Sequence, residues 1–220
     1  MATVLFLAIT AGLPVHAAEM LHKALEEPAL RAWLLFADAG LKTLVLAAFA
    51  VFIYRRRPSR RPSRSPRAFI ACTAAILSPA FLSSPGADAA ISAVVVGETL
   101  VVLAVCFTLA SVLCLGTCFG VLPEVRGLVM RGPYRFVRHP VYVGEIAAFA
   151  GFVVASQQLL NVVPLIVFCV AQSYRLRMEE AALLGEFPAE YGAYASRTPR
   201  FLPRPAVVLA AARQRALQPA

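Results

Sequence analysis

The sequence predicts an all-α integral membrane protein, a helical bundle of about five to six membrane helices with a cytoplasmic C-terminal helical cap. Hydrophobic residues make up 60% of the 220 positions and charged residues only 15%, whereas a soluble domain carries about 25% charged residues. The apolar residues are gathered into long runs, and the arginines are gathered between them. Together these observations exclude an ordinary soluble domain, a disordered chain and a collagen-like repeat.

The apolar runs supply the predicted membrane segments, because a helix needs about 20 largely apolar residues to cross the hydrocarbon core. They cover residues 3–18, 29–54, 69–82, 91–115, 140–155 and 159–174. The first is short and could be a cleaved signal, but no basic residues precede it, so we expect a retained helix. The second carries Arg31, Asp38 and Lys42. Only Ser156, Gln157 and Gln158 join the last two, which predicts an antiparallel helical hairpin.

The net charge of +9 follows from three arginine-rich segments. Eighteen of the 21 basic residues lie in residues 55–67, residues 126–138 and the part of the chain after Tyr174. An even number of crossings separates these segments, and the positive-inside rule assigns all three to the cytoplasm. This topology accounts for the charge without a nucleic-acid partner. The 55–67 loop is interpreted as a topology anchor that attracts anionic lipid.

Cysteine and histidine positions predict neither a disulfide framework nor a metal site. The five cysteines lie in or beside apolar stretches without a CxxC pair, and the three histidines do not cluster. We divide the chain into N-terminal membrane helices (residues 1–116), a region that carries chemistry (117–203) and a basic tail (204–220).

One segment before the hairpin has the features of a binding site. Gly132 and Pro133 predict a turn, and Pro140 predicts a helix start, since proline suits the first helical position and disfavours α conformation in the preceding His139. The first turn of that helix exposes unpaired backbone N–H groups, which bind carboxylate or phosphate. Gly144, one turn later, permits the close approach of another helix or a ligand.

The second segment continues the last apolar helix into the cytoplasm. Arg175 and Glu179 lie four residues apart and therefore share a helical face. Alone they indicate only a weakly stabilising ion pair. The hairpin, however, returns this helix end to the start at Pro140, so the two segments are expected to face each other.

Together these segments resemble the isoprenylcysteine carboxyl methyltransferase family and the related phospholipid methyltransferases. The resemblance rests on RGPYRFVRHPVYVG, on RLRMEEAAL after one apolar hairpin, and on FPAEYGAY followed by RTPRFLP; it covers roughly residues 121–203. It implies S-adenosylmethionine as the cofactor, with Glu179 holding the cofactor and Arg175 engaging the substrate. The other cofactor-contacting positions that it implies are Arg126, Gly127, Leu128, Val129, Tyr134, His139, Pro140, Val141 and Tyr142. Two positions depart from the better-known eukaryotic members, which have glutamine at Phe119 and histidine at Arg126.

The chemistry of methyl transfer agrees with these implied roles. A helix N-terminus suits the carboxylate of S-adenosylmethionine, and Glu179 suits its ammonium. A carboxylate acceptor is already ionised at neutral pH and needs no general base, and guanidinium pairs bidentately with carboxylate. We therefore expect a lipophilic carboxylate of the isoprenylcysteine type as acceptor, taken from the bilayer.

Other functions remain open at this stage. A phospholipid amine or a small thiol is the alternative acceptor. A sterol-reductase-like enzyme that binds NADPH is a rival, although that family has Asn where Val141 stands. A non-catalytic accessory protein is a further rival. The chain has no G-x-G-x-x-G motif after a strand, which excludes the Rossmann-type methyltransferase mode. We expect the bilayer and the acceptor as partners, without an obligate protein partner.

Overall fold

The computed structural model describes residues 12–26, 29–60, 65–83 and 89–202, and within these ranges the chain is helical without strands. This confirms the predicted all-α class. The α-helices are α1 (Leu13–Glu26), α2 (Leu30–Arg55), α3 (Pro66–Leu77), α4 (Ile91–Leu115), α5 (Pro140–Ser156), α6 (Val162–Glu186) and α7 (Pro188–Arg197). Single 3₁₀ turns extend α3 and α4, precede α6, and form residues Gly132–Arg135.

Three segments of the described chain are long and apolar enough to cross a membrane: Ala32–Arg55, Ile91–Cys118 and Leu159–Glu186. Two shorter apolar segments, Pro66–Phe81 and Pro140–Ser156, accompany them. The chain is accordingly an integral membrane protein. The predicted first span, residues 3–18, falls largely outside the described residues, and the helix found there begins later, at Leu13.

Helices α4 and α5 pack closely because glycines remove side chains from their contact. A Cβ on Gly97 would lie 2.4 Å from the Ala155 backbone nitrogen and 2.6 Å from the Gly151 carbonyl oxygen. One on Gly144 would lie 2.1 Å from the Thr108 hydroxyl. Small residues at such crossings let helix backbones approach in the membrane, where packing drives association. The close approach expected at Gly144 is therefore made by a helix.

The hairpin between α5 and α6 is fastened by amide side chains at the end of the bundle that lacks arginine. Gln157 adopts a left-handed conformation, with φ 53°, and so ends α5. The Asn161 side chain donates to the Ser83 carbonyl at 2.8 Å and accepts from the Ser83 N–H at 2.9 Å. These bonds tie the hairpin to the chain that follows α3.

The opposite end of the bundle brings the arginine-rich segments together. The Arg57 N–H donates to the Thr117 carbonyl at 3.0 Å, and the Arg60 N–H donates to the Val125 carbonyl at 2.8 Å. Arg60 also forms a 3.6 Å ion pair with Glu186, at the end of α6. The segment after α2, the loop before α5 and the end of α6 thus share one end of the molecule. Residues 61–64 and the predicted basic tail, 204–220, lie outside the described residues.

Candidate functional site

A cavity of about 660 Å³ lies at this arginine-rich end and extends between the helices. Helices α2 to α7 all contribute to its wall, together with the loop of residues 118–129. The wall is mainly apolar and carries a small number of polar groups, which is the usual make-up of a small-molecule site. Among the described residues, no group of three His, Cys, Asp or Glu side chains is placed to hold a metal ion.

Tyr142 connects the start of α5 with the end of α6, as the hairpin predicted. Its hydroxyl donates to the Glu179 carboxylate at 2.8 Å. The Arg175 guanidinium lies over its ring, with the guanidinium carbon 5.4 Å from the ring centroid. All three side chains line the cavity. Arg175 and Glu179 are therefore linked through the tyrosine between them.

Two further residues hold the Arg175 guanidinium in place. The Gln172 side-chain oxygen accepts from Nη1 at 2.6 Å, and the Val121 carbonyl accepts from Nη2 at 2.9 Å. The Gln172 amide nitrogen in turn donates to Glu145, on α5. Sequence reasoning missed Gln172 and Glu145, although Gln172 stands one helical turn before Arg175, a spacing that could have found it.

Two guanidinium groups on the cavity wall have unused donors. The Nε atoms of Arg175 and Arg138 are buried and make no hydrogen bond with any residue of the described ranges. Both residues line the cavity. A buried N–H without a partner costs free energy, so both arginines hold their place in the wall at an energetic cost.

Glu180, the second glutamate of the predicted motif, fastens the segment before α5. Its carboxylate accepts from His139 at 3.1 Å and pairs with Arg138 at 3.1 Å and with Arg200 at 2.7 Å. The His139 ring stacks on Tyr142 with centroids 5.5 Å apart. The backbone N–H groups of Arg138 and His139 donate to the carbonyls of Pro199 and Arg200. The chain that follows α7 thus closes over the start of α5.

The predicted cofactor positions and the predicted substrate residue, Arg175, divide into two groups. Gly127, Leu128, Val129, Tyr134, His139, Val141, Tyr142, Arg175 and Glu179 line the cavity. Pro140 is buried as the first residue of α5 and stands behind the wall. The Arg126 guanidinium turns to the Glu124 carboxylate and the Arg57 carbonyl, so it braces the loop from behind. Burial lowers the Arg126 pKa, and the adjacent Glu124 carboxylate opposes that shift.

Aromatic side chains complete the wall near the loop. Phe119, one of the two departures from the resembled family, stacks on Phe49 of α2 with centroids 4.3 Å apart. It therefore contributes apolar surface where the eukaryotic members have an amide. The Tyr194 hydroxyl donates to the Tyr134 carbonyl at 2.6 Å, which docks α7 on the cavity. Burial raises the Tyr134 pKa well above its usual value, so its phenol stays neutral at physiological pH.

The central part of this chain is similar to a known family. The phospholipid methyltransferase family matches residues 90–190, which include α4, the loop and the α5–α6 hairpin. The match confirms the resemblance predicted from the sequence motifs, and it supports a membrane methyltransferase as the general function.

Two curated bacterial proteins are similar to part of the chain. The cobalt-zinc-cadmium resistance protein CzcN of Cupriavidus metallidurans is 36% identical over 78 residues, which make up 35% of this chain. The nickel-cobalt-cadmium resistance protein NccN of Alcaligenes xylosoxydans xylosoxydans is 35% identical over 78 residues, again 35% of this chain. The chain spans about a third of each relative, 36% of its length.

Proposed function

Because residues 90–190 match the phospholipid methyltransferase family, we propose that this membrane protein methylates the carboxylate of a lipophilic acceptor with S-adenosylmethionine as donor. The product is a methyl ester of the isoprenylcysteine type. The observation that carries the proposal is the cluster of Arg175, Tyr142 and Glu179 on the wall of one largely apolar cavity.

The cavity fits the cofactor in size and in the polar groups that it offers. Its volume of about 660 Å³ lies within the usual range for small-molecule sites. Glu179 supplies a carboxylate for the cofactor's ammonium, and the Arg138 guanidinium, on the same cavity wall, supplies positive charge for its carboxylate. Val141 and Tyr142, in the first turn of α5, also line the cavity, and the unpaired N–H groups of a helix N-terminus add favourable potential for an anion.

The proposed reaction requires positioning more than acid–base catalysis. When bound, S-adenosylmethionine supplies an electrophilic methyl group; the acceptor oxygen forms the new O–C bond as the S–C bond breaks, and the electron pair leaves with sulfur. An ionised carboxylate needs no proton removed from it. The task of the protein is therefore to hold the acceptor oxygen in line and to exclude water from the oppositely charged reactants.

Arg175 is the proposed ligand for the acceptor carboxylate. Gln172 and Val121 each accept one N–H of its terminal nitrogens, and each of these nitrogens carries a second N–H. A guanidinium held in this way loses little side-chain entropy when it binds a carboxylate, and so it can fix the acceptor orientation. The apolar wall formed by α2 and α3 then receives the lipophilic part of the acceptor.

A lipid amine is the second candidate acceptor, favoured by one specific observation. Glu145 lines the cavity and reaches Arg175 through Gln172. A carboxylate there can accept the proton that an amine must lose before methyl transfer, and it favours an amine over an anionic acceptor. The two acceptors differ in their products, since a methyl ester is hydrolysed by base and a methylated amine is not.

We further propose that the chain crosses the membrane several times and that the cavity opens to the cytoplasm. Support comes from the arginine-rich segments, which converge at the cavity end of the bundle, and from the positive-inside rule.

The test of the proposed function is methyl transfer from labelled S-adenosylmethionine to a total lipid extract by the purified protein. We expect incorporation of label and, after base treatment, release of volatile labelled methanol. Label that is stable to base would instead identify an amine or a thiol as the acceptor. Absence of transfer, with intact cofactor binding, would refute both acceptor assignments.

A further inference from the structure

An ion pair on α2 has its lysine on the wall of the cavity and has no part in the proposed methyl transfer. The Lys42 ammonium donates to the Asp38 carboxylate at 2.7 Å, across one helical turn. Lys42 lines the cavity, and its side chain retains 36% of its exposure, whereas that of Asp38 retains 13%. Ionisable groups within membrane segments are costly and usually serve a function.

Lys42 lies well away from the polar cluster that contains Arg175. At 1.5 Å per residue, it is about 20 Å along α2 from Arg55 and about 10 Å from Phe49. Phe49 stacks on Phe119, close in sequence to Val121, whose carbonyl holds Arg175. The wall between the two cationic groups is apolar and includes Val45 and Leu46. The cavity therefore has a polar site at each end of an apolar stretch roughly 10 Å or more in length.

The pairing of Lys42 with Asp38 determines which ligand groups Lys42 can bind. An ammonium has three N–H donors, and Asp38 accepts one of them. The Asp38 carboxylate also neutralises the lysine charge. The site therefore binds a neutral oxygen that accepts a hydrogen bond more favourably than it binds a second anionic group. A carbonyl or hydroxyl oxygen has the matching chemistry.

We propose that Lys42 is a specificity-determining residue that binds an oxygen at the far end of the acceptor's apolar body. The acceptor is therefore a two-ended amphiphile, with its methylated group at Arg175 and a carbonyl or hydroxyl about 10 Å or more away. The assignment of the methylated end rests on the proposed function, whereas the role of Lys42 depends only on the cavity.

Binding of two matched probes to the purified protein tests the proposal. Dodecanoic acid carries one polar end, and 12-hydroxydodecanoic acid adds a hydroxyl at the other. A hydrogen bond to a charged donor corresponds to roughly a tenfold or greater difference in Kd. We expect the wild-type protein to prefer the hydroxy acid by about tenfold and Lys42→Met to lose that preference while still binding dodecanoic acid.

Two variants guard against an effect on folding or cavity shape. Asp38→Asn/Lys42→Met removes both charges, so no buried carboxylate is left unpaired, and it should show the same loss of preference. Leu44→Met changes an exposed apolar position of the same helix that does not line the cavity, and it should retain the preference. Equal affinity of the wild-type protein for both acids, or an unchanged preference in both Lys42 variants, would overturn the proposal.

The same assay separates this proposal from the proposed function. If Lys42 determines the preference but neither bound acid nor the lipid extract is methylated, the acceptor assignment fails and the role of Lys42 stands. If the extract yields a methyl ester but the hydroxyl gives no preference, the role of Lys42 fails and the proposed function stands.

Discussion

Replacement of Glu179 by glutamine gives the sharpest test of the cofactor site. Glutamine keeps the size of the side chain and can still accept from the Tyr142 hydroxyl. In the wild-type protein this hydroxyl lies 2.8 Å from the Glu179 carboxylate. What it removes is the negative charge proposed to hold the cofactor's ammonium. A hydrogen bond to a charged group contributes about 1.5–3 kcal/mol, so the Kd for S-adenosylmethionine should rise roughly 10- to 150-fold.

The assay is titration calorimetry with the protein in nanodiscs, with Glu186→Gln as the matched control. Glu186 is a carboxylate on the same helix, and it pairs with Arg60 outside the cavity. The control should bind the cofactor with wild-type affinity, and Tyr142→Phe should weaken binding less than Glu179→Gln because the charge remains. An unchanged Kd in folded Glu179→Gln protein would refute the assignment of Glu179.

Three other substitutions test the acceptor site and the helix packing. Arg175→Lys should leave the Kd of S-adenosylmethionine near normal and lower methyl transfer at least tenfold, because lysine lacks the planar fork that binds a carboxylate. Arg177→Lys, at an exposed position, is the control. Retained turnover in Arg175→Lys would count against the acceptor role. Gln172→Leu removes an acceptor from Arg175 and should lower kcat by about tenfold with little change in cofactor affinity. Single-turnover kinetics would measure the change in kcat, and a wild-type kcat would contradict the positioning role. Gly97→Leu should lower the thermal unfolding midpoint by roughly 5–10 °C, whereas Gly40→Leu, which meets nothing within 4 Å, should not; equal midpoints would contradict the tight α4–α5 contact.

The general layout was predictable because it depends on strong local signals. Pro140 fixes the start of α5 through its own backbone geometry, and the predicted and observed helix starts coincide. The short connection after Ser156 leaves an antiparallel return as the available path, so the approach of the two segments followed from the sequence, and the bond between Tyr142 and Glu179 is the contact that they make. Apolar length likewise predicted α4 with its observed bounds.

Details of the site depended on helix rotation and loop path, which periodicity does not determine. The partnership of Glu145 with Gln172 requires a particular rotation of α5 against α6. Arg126 lies in an irregular loop, and the nearby Glu124 carboxylate draws its guanidinium away from the cavity. The position of Arg138 on the cavity wall was hidden in a run of arginines that topology alone explained.

The pairing of residues 138–139 with Pro199 and Arg200 has a consequence for biosynthesis. These carbonyls lie more than 40 residues beyond the hairpin turn. The membrane helices can therefore insert and associate before the ribosome has released the segment with Pro199 and Arg200, which completes the pocket. A nascent chain arrested ahead of Pro199 should therefore integrate normally yet present a pocket without the segment that closes over the start of α5.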